Sequence, residues 1–290
     1  MELVLQIFAG GVVTAALYGL FGLSFSFIYS STKIMHFAHG ATYTLAMFAF
    51  YCLTAQAGLP LLAGAAVTIA LAAFAGWAMM SGFYQAFLTK GASQGALMIA
   101  SLGLFIAVES IAGLLFGTSS RVVSTGSVSR GLDFGGIYLT GLQLWMFGLC
   151  AVAIVLALLT VRLSSLGRAV RGMADDPDLA ENLGIDVRRL RAIVFAAGSA
   201  LLALGAVLVS LDVGVVPGSS LRVLLIAATA SIIGGSHSLY GGLVGGLAVG
   251  LLESVGLYTL DARWLNVMIF SALILILLIQ PSGLLKLGRR

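Results

Sequence analysis

The stretch LVLQIFAGGVVTAALYGLFGLSFSFIYSST, residues 3–32, contains no Asp, Glu, Lys or Arg. A second run without these residues, Ile34 to Thr89, follows after a single lysine. A helix needs about 20 apolar residues to cross the hydrocarbon core of a bilayer, so each run is long enough for at least one crossing. Helices that are apolar on every side lie in lipid or in the core of a large protein. The stretch therefore predicts a polytopic α-helical membrane protein.

The composition of the whole chain supports the same class. Of its 290 residues, 60% are hydrophobic and 9% are charged, whereas soluble domains are about 45–50% apolar. The net charge of +4 does not indicate nucleic acid, because the basic residues stand at helix ends, where they orient membrane proteins. Cys52 and Cys150 lie in apolar segments and are interpreted as small buried hydrophobes. No basic region precedes the first apolar run, so no cleaved signal peptide is expected.

The apolar runs predict an all-α chain with eight to nine transmembrane segments. The first run is longer than a bilayer core, so it must tilt, protrude or break, and its glycines 10, 11, 19 and 22 are the easiest break points. The segment 217–235 is weak, and is either a short span or one arm of a re-entrant hairpin. The predicted spans are 3–29, 35–55, 60–88, 95–116, 142–161, 192–212, 217–235, 240–259 and 263–280.

The basic residues predict the orientation of these spans. Cytoplasmic loops of membrane proteins carry an excess of Lys and Arg. Eleven of the fifteen Lys and Arg residues fall on one side if the amino terminus is external and the carboxyl terminus cytoplasmic. The four left outside are Arg121, Arg130, Arg222 and Arg263. We therefore expect one membrane domain, 1–290, with an external amino terminus.

One polar segment interrupts the apolar sequence. Eleven of the 26 charged residues lie in RLSSLGRAVRGMADDPDLAENLGIDVRRLR, residues 162–191, which we call the polar island. The orientation makes it a cytoplasmic loop. The second long connection, 117–141, is then external, and is either a plain linker or a cap over the external mouth that meets a soluble partner.

The polar island contains the signals of one short helix. Asp176 is a good N-cap, and Pro177 suits the first helical position, where its missing N–H costs nothing. Gly184 supplies the left-handed conformation that ends a helix. Leu179 and Leu183, four residues apart, share one face. Because two turns are not stable alone in water, this helix must pack either against its own chain or against a cytoplasmic partner.

Several blocks of the sequence resemble one transporter family. GRAVRGMADDPDLAENLGID resembles the coupling segment of permease subunits of ATP-binding-cassette importers, in the branched-chain amino-acid transport family. MHFAHGATYTLAMF is similar to that family's early Asn-Phe-Ala-His-Gly motif, with His36 where Asn is usual. KGASQGALMIASLGLFIAVESIAGLLFG, IIGGSHSLYGGLVGGLAVGLLES and QPSGLL resemble later blocks, in the same order. The resemblance covers nearly the whole chain and matches the smaller, H-type subunit.

The resemblance implies a set of partners and a location. It implies a multi-pass protein of the bacterial inner membrane, paired with a second homologous permease, with a heterodimer expected and a homodimer as the alternative. Two cytoplasmic ATPase subunits would dock on the polar island, and a periplasmic solute-binding protein would deliver the solute. No lysine of this chain stands in a nucleotide-binding Gly-Lys-Ser/Thr motif, so ATP hydrolysis belongs to separate chains and no cofactor is expected. The implied ATPase-coupling residues are Asp175, Asp176, Pro177, Leu179, Ala180, Leu183 and Gly184.

A stripe of small residues marks one later span. Gly242, Gly246, Gly250 and Ser254 recur every four residues, and such stripes let helix backbones approach closely in lipid. Packing within this chain is the preferred interpretation, and a face for the partner permease is the alternative.

A few polar side chains lie inside apolar runs. Glu109 and Glu253 would be costly against lipid, so they line the solute path, make structural hydrogen bonds or lie at the boundary near the head groups. His36 and His39 share a helix face, and a role at the inner mouth or gate is expected. No Cys, Asp or Glu nearby completes a metal site. No nucleophile, base and orienting residue form a catalytic group, so the chain is not expected to be an enzyme.

The resemblance implies transport of branched-chain amino acids by alternating access. Urea, short amides or other amino acids are alternative solutes within the same family. From another class, an ion-coupled secondary transporter would use Glu109 and Glu253 as ligands for a proton or sodium ion. A subunit that only assembles others is a third alternative. A secondary transporter would not explain why the chain contains the polar island.

Overall fold

The structure is a computed structural model that describes residues 2–123, 131–133, 135–236, 238–280 and 283–285. It is helical almost throughout, as the apolar runs predict. The helices are α1 (Glu2–Thr32), α2 (His39–Tyr51), α3 (Leu61–Ala78), α4 (Gln85–Leu88), α5 (Gln94–Phe116), α6 (Gly141–Leu163), α7 (Ser165–Asp175), α8 (Pro177–Asn182), α9 (Val187–Asp212), α10 (Ser219–Gly234), α11 (Gly241–Thr259) and α12 (Leu265–Ile279).

Two π-helical segments and one 3₁₀ turn extend these helices. Cys52–Gln56 continues α2, Met79–Tyr84 joins α3 to α4, and Ala262–Trp264 precedes α12. A π segment inserts an extra residue into a turn, so it changes which side chains face inward. Tyr84 and Met80, both in the second π segment, are fully buried.

Six helical stretches of the described chain are long and apolar enough to cross a membrane. They are α1, the continuous stretch Leu61–Leu88, α5, α6, α9 and α11. The apolar helices α10 and α12 are shorter. The polytopic α-helical class is thus confirmed, whereas the count of eight to nine spans and the external amino terminus stay predictions. Arg130, Lys286, Arg289 and Arg290, which entered the predicted orientation, lie outside the described residues.

The chain divides into two compact units. The first comprises the described residues within 1–26, 126–154 and 225–290, and the second those within 27–125 and 155–224. In the first unit α1 packs along α11. In the second, α9 packs against α2 and α3 and carries the longest row of buried residues.

The first helix does not break. Glycines 10, 11, 19 and 22 all lie within the continuous helix α1. Three of them face α11: a side chain at Gly11 would meet Ser254, one at Gly19 would meet Leu243, and one at Gly22 would overlap the backbone of Gly242. Glycine is used here for close helix contact rather than for a bend.

The connection 117–141 contains secondary structure that its glycine-rich and serine-rich sequence does not predict. Strand β1 (Gly131–Asp133) pairs antiparallel with β2 (Tyr138–Thr140). The Gln6 side chain completes the edge, since its Nε2 donates to the Tyr138 carbonyl at 2.9 Å and its Oε1 accepts from the Tyr138 N–H at 2.7 Å. The loop therefore includes an ordered hairpin attached to α1.

Candidate functional site

The short helix α8 has the caps that the sequence predicts. The Asp176 carboxylate accepts hydrogen bonds from the N–H groups of Asp178 (3.0 Å) and Leu179 (2.9 Å), and Pro177 occupies the first turn. Gly184 has φ +85°, a left-handed conformation that glycine adopts without strain. Asp175, which the resemblance counts among the coupling residues, is the last residue of α7 and not part of α8.

The apolar side chains of α8 divide into a covered and an uncovered group. Ala180 is buried, with 3% of its surface exposed, and faces its own chain. Leu179 and Leu183 are 55% and 74% exposed. Packing within the chain thus holds the helix in place through Ala180 and leaves two leucines for another surface.

The polar island is a helical platform rather than a loop. Helix α7 buries Gly167, Val170 and Met173, which recur every three residues and form one apolar face. Ser164 caps it by accepting from the Gly167 N–H at 2.9 Å. The sequence does not reveal this second helix, because its apolar face comprises only three residues among many charged ones.

A lysine lies within electrostatic reach of this platform. Lys33 follows α1 with φ +58° and donates from Nζ to the Ser30 carbonyl at 2.8 Å. Partial burial lowers the pKa of the Lys33 ammonium, and the Asp175 carboxylate acts in the opposite direction. The end of α1 and the end of α7 are therefore electrostatically linked within the second unit.

The two histidines of the early motif form a buried aromatic cluster. His36 and His39 are each 1% exposed, and their ring centroids are 5.5 Å apart. His36 Nδ1 lies 2.7 Å from the Tyr84 hydroxyl, and the Phe195 ring is 4.8 Å from the His36 ring. His36 Nε2 is buried and has no hydrogen-bond partner in the described chain. No group of three metal-ligating side chains occurs among the described residues.

Two residues of this cluster were not predicted from the sequence. Tyr84 reaches His36 because the π segment Met79–Tyr84 shifts its register, and simple helical periodicity does not foresee such a shift. Phe195 comes from α9, far along the chain. Ser101 holds the turn that carries His36, since its hydroxyl accepts from the Phe37 N–H at 3.2 Å and lies 3.3 Å from the Met35 carbonyl.

Glu109 forms hydrogen bonds to three other residues of the second unit. One carboxylate oxygen accepts from the Gly218 N–H at 2.9 Å, and the other accepts from the hydroxyls of Thr44 (2.5 Å) and Ser220 (2.7 Å). These three hydrogen bonds join α5 to α2 and to the start of α10. This geometry supports the structural interpretation of Glu109 over an ion ligand.

Glu253 is buried in the first unit. The residue is 5% exposed, and the Tyr18 hydroxyl lies 2.9 Å from both of its carboxylate oxygens. The contact joins α11 to α1. Tyr18 was not singled out in the sequence, because a tyrosine in an apolar span carries no signal of its partner.

The stripe of small residues packs along α1. Side chains added at Gly242, Gly246 and Gly250 would overlap the backbone of α1 at Gly22, Tyr18 and Ala15 respectively. Ser254 donates to the Ile7 carbonyl at 2.9 Å. Residues later in α11 contact residues earlier in α1, so the two helices run antiparallel, and their backbones lie close together.

Comparisons with known proteins agree over nearly the whole chain. The family model described as the permease component of branched-chain amino acid transport systems matches residues 7–278. The high-affinity branched-chain amino acid transport system permease protein BraD of Pseudomonas aeruginosa is 28% identical over 294 residues, covering 97% of this chain and 95% of BraD. The permease protein LivH of Escherichia coli is 27% identical, with the same coverage.

A more distant relative and one solved structure extend these matches. A probable branched-chain amino acid transport permease protein of Methanocaldococcus jannaschii is 25% identical over 96% of this chain and 91% of its own length. The solved structure of PsaBC from Streptococcus pneumoniae in complex with Fab aligns with a TM-score of 0.53 and 15% identity. That alignment covers 96% of this chain and 93% of the solved one, and the likeness concerns the fold.

Proposed function

The chain belongs to the family of permease components of branched-chain amino acid transport systems, and we propose that it forms part of the membrane pathway of an ATP-driven importer of branched-chain amino acids. It is a transport component of the inner membrane and not an enzyme. Permeases of such importers work with ATPase and solute-binding partners.

The proposed assembly has a second homologous permease beside this chain, with a heterodimer expected. Two cytoplasmic ATPase subunits dock on the polar island, and a periplasmic binding protein delivers the solute to the opposite face. Closure of the ATPases moves α8, and this movement shifts the permeases between inward-facing and outward-facing states. The orientation with an external amino terminus is part of this proposal.

The exposure of Leu179 and Leu183 at α8 is the main support for this proposal. The helix is capped at its amino end by Asp176 and held by buried Ala180, yet Leu179 and Leu183 are more than half exposed. A helix of six residues does not maintain an exposed apolar edge without a partner surface. An amphipathic groove on an ATPase subunit would bury both side chains.

The decisive experiment is co-purification from membranes that contain the whole transport system. The tagged chain is expected to retain an ATP-hydrolysing subunit, identified by mass spectrometry and by ATPase activity. Leu183→Asp should lose this subunit and abolish leucine uptake. Asn182→Asp is the matched control, because it adds the same charge at the adjacent exposed residue and keeps both leucines.

Two results would contradict the proposal. Retention of the ATPase by Leu183→Asp would show that α8 is not the docking surface. Solute accumulation by the purified chain alone, driven by a proton or sodium gradient, would instead establish the secondary transporter.

A further inference from the structure

The backbone of Arg121 is paired with a distant segment of the second unit. It forms an antiparallel bridge with Val215, through N–H to carbonyl bonds of 3.0 and 2.8 Å. Gly214, with φ +89°, lies so close to the Arg121 carbonyl that a side chain there would crowd it. The backbone of Arg121 is therefore fixed by the segment that follows α9.

The length of α9 separates Arg121 from the coupling helix. Helix α8 ends five residues before α9 begins, and Val215 follows three residues after α9 ends. The 26 residues of α9 extend about 39 Å at 1.5 Å per residue. Because this distance exceeds the thickness of the hydrocarbon core, Arg121 lies on the membrane face opposite α8, where an imported solute arrives.

The guanidinium of Arg121 is supported by neutral groups. Nη2 donates to the Phe116 carbonyl at 2.6 Å, and Nη1 donates to the Tyr51 hydroxyl at 3.3 Å. The guanidinium carbon lies over the Tyr51 and Phe116 rings, at 5.3 and 5.9 Å from their centroids. Rings over the flat faces of a guanidinium leave its edge, where the N–H groups point, for hydrogen bonds.

The charge and part of this edge have no partner in the described chain. Nε is fully buried and makes no hydrogen bond, and no described carboxylate forms an ion pair with Arg121. Glu109 is engaged by Thr44, Gly218 and Ser220. A half-buried cation without a counter-ion is costly, and a guanidinium with free edge donors matches the two oxygens of a carboxylate.

We propose that Arg121 binds the carboxylate of the arriving amino acid at the face opposite the coupling helix. This inference rests on the proposed function. Tyr51 and Phe116 orient the guanidinium, and the N–H groups of Nη1 and Nη2 that these two residues leave unused donate to the carboxylate. A small solute fits this site better than a lipid phosphate or an acidic side chain of the delivery protein, because Arg121 is half-buried and the Tyr51 and Phe116 rings lie against its guanidinium.

The test measures direct binding of leucine to the full chain with its co-purifying subunits, in nanodiscs of phosphatidylcholine and without the solute-binding protein. Arg121→Gln is expected to weaken leucine binding about ten- to a hundredfold, the range for loss of a charge-assisted hydrogen bond. Arg121→Lys should fall between wild type and Arg121→Gln, since it keeps the charge without the fork. Leucinamide, which lacks the carboxylate, should bind weakly to wild type and be unaffected by Arg121→Gln.

Two further variants control for charge and folding. Arg263→Gln removes one positive charge from an exposed arginine that is already paired with Asp261 at 2.7 Å, and it should bind leucine like wild type. Tyr51→Phe keeps the ring and removes only the hydroxyl that holds Nη1. It should weaken binding several-fold with an unchanged thermal unfolding midpoint, which keeps the test valid if Arg121→Gln folds poorly.

The outcomes separate this site from the proposed function. If the complete wild-type system takes up leucine but Arg121→Gln binds leucine as tightly as wild type, the Arg121 site is wrong and the importer stands. If Arg121→Gln weakens the binding of the solute-binding protein to the complex while direct leucine binding is unchanged, Arg121 serves that protein and the proposal is overturned. Weakening that appears only with anionic lipid in the nanodiscs would assign the site to lipid instead. If the wild-type system takes up no branched-chain amino acid, the proposed function itself is wrong.

Discussion

The Tyr18 hydroxyl lies 2.9 Å from both carboxylate oxygens of Glu253, although 235 positions separate the two residues in the chain. The contact is buried and lies where α1 and α11 are packed backbone to backbone. A carboxylate inside an apolar protein needs such a partner, because an unpaired one would be costly to bury. The hydrogen bond between Tyr18 and Glu253 thereby helps to hold α1 against α11.

Removal of the Tyr18 hydroxyl should destabilise the first unit. Tyr18→Phe keeps the ring and leaves Glu253 without this donor, so we expect a loss of about 1–2 kcal/mol in the free energy of unfolding. Thermal unfolding of the purified chain measures it. Tyr258→Phe is the control, because Tyr258 lies on α11 with Glu253 but is half exposed. Equal effects of the two changes would contradict the role assigned to the Tyr18 contact.

A single methyl group in the small-residue stripe should disrupt the packing of α11 on α1. In Gly242→Ala, the new Cβ would overlap the Gly22 carbonyl and crowd the Ser26 hydroxyl, so the helices must separate. We expect at least about 2 kcal/mol of destabilisation, seen as lost yield of folded protein in detergent. Gly103→Ala in α5 meets no atom within 4 Å and should have no such effect. If both variants are stable, the close approach is wrong.

Loss of the Glu109 carboxylate should loosen the start of α10. Glu109→Ala removes the acceptor of the Gly218 N–H and of the Thr44 and Ser220 hydroxyls. Hydrogen exchange of the amides in 216–222 should become at least several-fold faster. Glu109→Gln, which retains one carbonyl oxygen, should have a smaller effect, and Ser110→Ala at the exposed neighbour should have none. Unchanged exchange in Glu109→Ala would show that Glu109 does not hold this segment.

The N-cap of α8 should control the order of this helix, for which we propose a coupling role. Asp176→Ala removes the acceptor for two backbone N–H groups, a change that costs about 1 kcal/mol at a helix terminus. Hydrogen exchange in 177–184 should rise, and the affinity for the ATPase subunit should fall with it. Asp176→Ser should restore most of both. Asp178→Ala is the control for charge, and an effect as large as that of Asp176→Ala would count against capping.

Local signals explain how much of the polar island could be predicted. Asp176, Pro177 and Gly184 act on backbone groups within three or four residues of themselves, so the sequence contains the whole interaction. Helix α7 was missed because its buried face comprises only Gly167, Val170 and Met173, which is too short a pattern to distinguish from a charged loop. The exposure of Leu179 and Leu183 depends on what packs nearby, and the sequence left that alternative open.

Other parts of the candidate site depend on contacts between distant segments. Tyr84 meets His36 through a π segment that shifts the helical register, and periodicity assumes that no such shift occurs. Arg121 was recognised only as a charge outside the predicted spans. Its support by Tyr51 and Phe116, and its bridge to Val215, join parts of the sequence up to 94 positions apart.

The sequence by itself determined that this chain is a helical membrane protein, where most of its helices begin and end, and which transporter family it resembles. The length of an apolar run and the residues that cap a helix are properties of neighbouring residues, so both can be recognised without knowledge of the packing. The tertiary structure decided which polar groups are satisfied and which are not. Glu109 and Glu253 have partners that hold helices together, whereas Arg121 forms no ion pair with any carboxylate among the described residues. That difference depends on helix packing, because burial and hydrogen bonding are set by whichever distant side chains the fold brings within about 3 Å.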